Sequence, residues 1–137
     1  MHERTDPEYN RDAFRVLAVI VLYKMRPRES ETYRTFQEAI YCFRNGQNNV
    51  SVLLYDNTLG GCDPGPLPEG VRYEVAERNA GVAAAYNRAL SIAQSEKYTW
   101  LLTLDQDTTL PSDYLSRMSE LALQFESSDR VAAIVPG

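Results

Sequence analysis

Arg15-Val16-Leu17-Ala18-Val19-Ile20-Val21-Leu22-Tyr23 is a nearly unbroken apolar run, rich in β-branched residues. A strand with one wet face alternates apolar and polar side chains. A run without alternation fits a strand buried on both faces. That reading decides the fold, because such a strand needs layers above and below its sheet, and in a parallel sheet those layers are helices.

Working outward, the rest of the chain supplies them. A helix is expected from Ser30 to Arg44, with Ser30 as its cap, Glu31 at the positive end of the dipole and Gly46 as its stop. Its apolar stripe reads Tyr33, Phe36, Ile40 and Phe43. Strands follow at Val50–Tyr55 and, after the Gly- and Pro-rich loop from Thr58 to Gly70, at Val71–Ala76. A second helix is expected over Val82–Ser95, with Val82, Tyr86, Ala89 and Ala93 on one face, then a strand over Tyr98–Leu104. Pro111 opens a third helix with Tyr114, Met118, Leu121 and Phe125 as its stripe, and Val131–Val135 forms a fifth strand. Strands alternating with helices predict an α/β fold, an open, mostly parallel sheet with helices on both faces. The polar segment 1–14 precedes one domain over 15–137. The stop at Pro136-Gly137, directly after a core strand, reads as the C-terminal truncation of that domain.

Composition narrows the chemistry. With 137 residues, 44% of them hydrophobic and 24% charged, the chain suits one soluble globular domain. No apolar run approaches the roughly 20 residues that span a bilayer, and the N-terminus lacks a signal-like apolar core, so the expected compartment is cytoplasmic. A net charge of -5 and the lack of a basic stripe argue against a nucleic acid partner. Cys42 and Cys62 form no CxxC pair and read as reduced thiols. His2 is the one histidine, which argues against triads, Cys-His dyads and His-based zinc. Carboxylates, amides, hydroxyls, backbone groups or an oxygen-bound metal must carry any reaction.

Ligands of open α/β sheets bind beyond the carboxyl ends of the strands. The residues there are Tyr23-Lys24, Asp56-Asn57, Arg78-Asn79 and Asp105-Gln106-Asp107. In an extended chain Asp105 and Asp107 point to one side and Gln106 to the other. Two converging carboxylates repel unless a cation joins them, and Mg²⁺ or Mn²⁺ takes oxygen ligands and bridges to diphosphate oxygens. The alternative is a turn with acidic formers, capped by Thr108 or Thr109 before Pro111. Asp56-Asn57 can accept from a base imide or a ribose hydroxyl, or can start a turn. Arg78-Asn79-Ala80-Gly81 leads into a helix whose free N–H groups favour an anion, and Gly81 permits a close approach. Asn87 either ties this loop from within or is solvated. Neither GxGxxG nor GxxxxGK[ST] occurs.

Taken together, Val16–Tyr23, Leu54-Tyr55-Asp56-Asn57, Arg78–Leu90 and Trp100–Asp107 resemble the family 2 glycosyltransferases, an inverting family with a GT-A fold. The resemblance covers most of the chain after Arg15. The wording Leu-Thr-Leu-Asp-Gln-Asp looks most like the rhamnosyltransferase branch, which builds bacterial surface polysaccharides. It implies a metal-assisted transfer from a nucleotide-diphosphate sugar, dTDP-rhamnose or a UDP-sugar, to a glycan or lipid-linked acceptor at the inner face of the membrane. Asp56 would contact the nucleobase. Tyr23, Arg78, Asn79 and Gly81 would line the donor pocket, Asp105 would meet ribose or metal, and Asp107 would be the main metal ligand. Lys24 departs from the family's usual Tyr-Asn and could face a phosphate.

Inverting transfer needs a base for the acceptor hydroxyl and a stabilised leaving diphosphate. Asp113, Glu120, Glu126 and Asp129 read as surface charges, so the base is expected beyond Gly137 and the chain is expected to bind donor without turnover. Two other classes fit the alternation. A sugar-1-phosphate nucleotidyltransferase would want a Gly-rich loop where Tyr23-Lys24-Met25-Arg26-Pro27 stands. A receiver- or flavodoxin-like binding module of the receiver type would want acidic residues where Lys24 and Arg26 stand.

Overall fold

The computed structural model describes residues 14–43, 49–78, 81–124 and the backbone of 132–134. The elements run β1 (Val16–Leu22), a 3-10 turn (Pro27–Glu29), α1 (Glu31–Cys42), β2 (Val50–Asp56), β3 (Val71–Val75), α2 (Val82–Ser95), β4 (Trp100–Leu104), α3 (Tyr114–Leu123) and β5 (Ala132–Ile134). The five strands form one sheet in the order β3-β2-β1-β4-β5, and every pairing is parallel. β1 is therefore the central strand, which is why its sequence shows no alternation. Arg44, Gly46, Phe125, Val131 and Val135 lie outside the described residues. Among the described residues no helix is long and apolar enough to cross a membrane.

The period of two sorts the core into two layers. Even-numbered Val16, Ala18, Ile20, Val52, Leu54, Leu102 and Leu104 pack with Phe36 and Ala39 of α1 and Leu115 and Ala122 of α3. Odd-numbered Leu17, Val19, Leu53 and Leu101 pack with Ala89, Ile92 and Ala93 of α2. Helices thus cover both faces. Edge strand β3 is half-exposed, and its Arg72 and Glu74 are tied to α2 through Glu96 and Arg88.

Three helical stripes differ from the sequence reading, each for a physical reason. α1 buries Thr32, Thr35, Phe36 and Ala39, while Tyr33, Ile40 and Phe43 are only partly covered. Its buried face is rotated because the threonine hydroxyls find partners inside. α2 buries Ala85, Ala89, Ile92 and Ala93, leaving Val82 exposed at the end of the helix that meets the strand tips. α3 starts at Tyr114 rather than at Pro111. Pro111 sits in the preceding turn, where its carbonyl accepts from the Tyr114 N–H, and Leu115 and Ala122 are buried while Leu121 is exposed.

Leu53 is fully buried between β1 and α2. Leu53→Ala is expected to lower the unfolding free energy by about 2–5 kcal/mol in urea titration. A loss under about 1 kcal/mol would contradict the assignment of this layer as core.

Candidate functional site

Strand order places the site. The chain runs from β1 outward through β2 to β3, then returns to β4 on the other side of β1. The reversal lies between the carboxyl ends of β1 and β4, where loops diverge and leave a crevice. An open cleft of about 370 Å³ occupies this position, lined by Val21, Tyr23, Asn57, Gly81, Val82 and the triplet Asp105-Gln106-Asp107.

Pleat parity explains the membership. Val21, Tyr23, Asn57 and Asp105 continue the odd-numbered set that faces α2, so their side chains emerge beneath the start of that helix. Gly81 precedes α2 with φ +85, a left-handed value that favours glycine, and no side chain caps the helix. Asn57 is 5% exposed and donates from Nδ2 to the Gly81 carbonyl at 3.2 Å. Because that bond requires a donor, Asn57 Oδ1 is fixed as the other arm, and it has no partner. Asn87, the alternative tie for this loop, is exposed.

Asp56, one residue earlier, points to the opposite face. It is 1% exposed, Oδ1 accepts from the Thr58 N–H at 2.9 Å, and Oδ2 accepts from the Tyr73 hydroxyl at 2.5 Å. Burial, and after it this bond, pushes the Tyr73 hydroxyl well above its ordinary pKa. Asp56 borders a separate hollow of about 220 Å³ with Lys24, Arg26 and Glu29. Lys24, at a left-handed φ of 54, donates its N–H to Thr58 Oγ1 at 2.6 Å, and its ammonium lies 5.3 Å from the Tyr23 ring centre. Arg78 is exposed in a third hollow beside Glu74, Glu77 and Arg88. Asn79 lies outside the described residues. The structure thus brings Tyr23, Gly81, Asp105 and Asp107 together, and it sets Asp56 and Arg78 apart from them.

The acidic loop is a turn, with both carboxylates exposed at the cleft. Its main chain is gripped by the start of α1. The Gln106 carbonyl accepts from Ser30 Oγ at 2.6 Å and from the Thr32 N–H at 3.3 Å. Thr108 N–H donates to Thr32 Oγ1 at 2.7 Å, and Leu110 N–H to Thr35 Oγ1 at 3.0 Å. Ser30 also caps its own helix by accepting from the Tyr33 N–H. Glu31 accepts from the Thr109 hydroxyl, and its carboxyl is held below the usual range first by Arg34 and then by Thr109. Gln106 is the second tie, its Oε1 accepting from the Tyr23 N–H at 2.9 Å.

The model of the family described as Glycosyl transferase family 2 matches residues 56–135, more than half of the chain. The chain belongs to glycosyl transferase family 2. No curated protein and no solved structure matches it. The matched segment of this glycosyltransferase holds Asn57, Gly81 and the acidic pair, and Tyr23 stands before it. Membership favours a transferase over the nucleotidyltransferase and the receiver-like module.

Among the described residues no group of three or more His, Cys, Asp and Glu converges as a metal cage. Two exposed carboxylates suit a different arrangement, a hard cation that keeps positions for ligand oxygens and water. The sequence reading overlooked Asn57 as the cleft-facing residue, and also the Ser30-Thr32-Thr35 clamp. The clamp had a signal, since 32, 35, 36 and 39 follow helical spacing once threonine is counted as able to be buried.

Thr32→Val keeps the shape of the side chain but leaves the Thr108 N–H without its acceptor. It is expected to cost about 1–3 kcal/mol in denaturant unfolding and to speed exchange of the Thr108 amide. No change in either measurement would contradict the clamp.

Proposed function

We propose that this cleft takes the nucleotide part of a nucleotide-diphosphate sugar and that the protein transfers the sugar, with inversion, to a glycan or lipid-linked acceptor. The observation that carries the reading is the meeting of Asp105 and Asp107 with Tyr23, Asn57 and Gly81 in one cleft at the switch point. Family membership supports a nucleotide-sugar donor in general.

Asp107, with Asp105, would hold Mg²⁺ or Mn²⁺. Such a cation, when bound, neutralises charge on the departing diphosphate. The chain's own groups bind and orient. Tyr23, 45% exposed, offers an aromatic face to a base. Asn57 Oδ1, left over from the Gly81 bond, suits an imide N–H or a ribose hydroxyl. The uncapped first turn of α2 offers main-chain N–H groups to an anionic oxygen.

In this reading the base-contacting role implied for Asp56 passes to Asn57, because the Asp56 oxygens are engaged by Thr58 and Tyr73. The wording of the acidic motif favours dTDP-rhamnose over a UDP-sugar. The catalytic base is assigned outside the described residues, since the acidic pair supplies the cleft's only lining carboxylates.

The test is thermal unfolding with dTDP, UDP or GDP, each with and without Mn²⁺. A nucleotide at about 100 times its Kd adds about 2.7 kcal/mol, several degrees in Tm. One nucleotide is expected to stabilise the chain, and to do so more with Mn²⁺. Asp107→Asn should remove the metal-dependent part. Asp113→Asn, which alters only an exposed pair with Arg117, should not. No stabilisation by any nucleotide would overturn the donor-site reading.

A further inference from the structure

The middle residue of the acidic triplet has no evident task in holding a cation, yet it is the most heavily tied residue of the loop. The Gln106 carboxamide crosses the mouth of the crevice. Oε1 accepts from the Tyr23 N–H at 2.9 Å, and Nε2 lies 3.5 Å from the Tyr23 carbonyl. The Gln106 carbonyl meanwhile faces the other way, accepting from Ser30 Oγ and the Thr32 N–H. Regular β1–β4 pairing has its last register pair at Ile20 and Leu104. Beyond it the two strand tips would diverge, and the Gln106 side chain replaces the missing ladder bond at the very place where the sheet opens.

We infer that Gln106 is a positioning residue, a strut that sets the distance and orientation of Asp105 and Asp107 relative to Tyr23. This rests on the donor- and metal-site reading above. One residue thereby joins three elements, the tip of β1, the tip of β4 and the start of α1. A strut of this kind matters because the two cleft walls must present their groups to one ligand at once. A cation held by the acidic pair reaches a diphosphate only if the nucleotide, lying along the β1 wall, ends at the right place. A misplacement of about 1 Å at such a site is enough to cost much of the productive binding. The bond that matters is acceptance by Oε1 from a main-chain donor, so a side chain without an acceptor at that reach cannot substitute.

The experiment compares the wild type with Gln106→Leu and Gln106→Glu in two measurements. Amide hydrogen exchange at Tyr23 is read without ligand. The ratio of the Kd of the stabilising nucleoside diphosphate (dTDP, UDP or GDP) without Mn²⁺ to its Kd with Mn²⁺ is read by calorimetry. Gln106→Leu is expected to speed Tyr23 exchange about five- to tenfold, the loss of one hydrogen bond, and to bring the ratio towards one. Gln106→Glu, which keeps the acceptor, is expected to restore both. A merely structural role would lower Tm and leave the ratio at its wild-type value, and that result would overturn the inference. Unchanged Tyr23 exchange in Gln106→Leu would overturn it too, as would a Glu variant that behaves like Leu. A wild-type ratio of one would overturn the metal-site reading and the positioning role with it, while the exchange data would still decide whether the strut exists.

Discussion

The loop that carries Asp105 and Asp107 is held by hydroxyl groups at the start of α1. Ser30, Thr32 and Thr35 are buried, and their hydroxyls meet the main chain at Gln106, Thr108 and Leu110. An exposed acidic turn has little apolar surface with which to fix itself, and its two carboxylates repel each other. Main-chain hydrogen bonds to buried partners supply what packing cannot, because leaving those groups unpaired inside the protein is expensive. The clamp also explains why α1 turns threonines inward at the expense of Tyr33 and Ile40. Folding of the first helix and placement of the acidic pair are one event, since the same side chains serve both.

Sheet topology then gives the clamp its consequence. Central placement of β1 puts the reversal of strand order beside the acidic loop, and pleat parity selects which residues of each strand tip can see it. Neighbours in sequence therefore have different fates. Asn57 joins Tyr23, Gly81 and the acidic pair, whereas Asp56 turns away to secure the 58–62 loop through Thr58 and Tyr73, whose hydroxyl also accepts from the Cys62 N–H. A glycine with a left-handed backbone lets the start of α2 approach the same crevice.

The order of elements and the burial of β1 on both faces were legible because a buried parallel strand cannot alternate. Tyr23, Gly81, Asp105 and Asp107 were legible as strand-end residues for the same reason. Three features were not. A strand buried on both faces gives no clue to which parity faces which helix, so Asp56 and Asn57 could not be told apart. The rotation of α1 depended on tertiary partners for Thr32 and Thr35, which periodicity of apolar residues alone ignores. Arg78 follows β3, the edge strand, and ends beside Glu74, Glu77 and Arg88 instead of in the cleft, an outcome that rests on strand order.

The central claim is that a divalent cation and a nucleotide meet in the cleft between the tips of β1 and β4. Paramagnetic broadening by Mn²⁺, recorded amide by amide with the nucleoside diphosphate present, reads that location directly. The account predicts broadening centred on Asp105, Gln106 and Asp107, reaching Tyr23, Asn57 and Gly81, and sparing Glu74 and Arg88. Broadening centred on the hollow of Asp56 and Glu29, or spread evenly over the acidic surface, would contradict it.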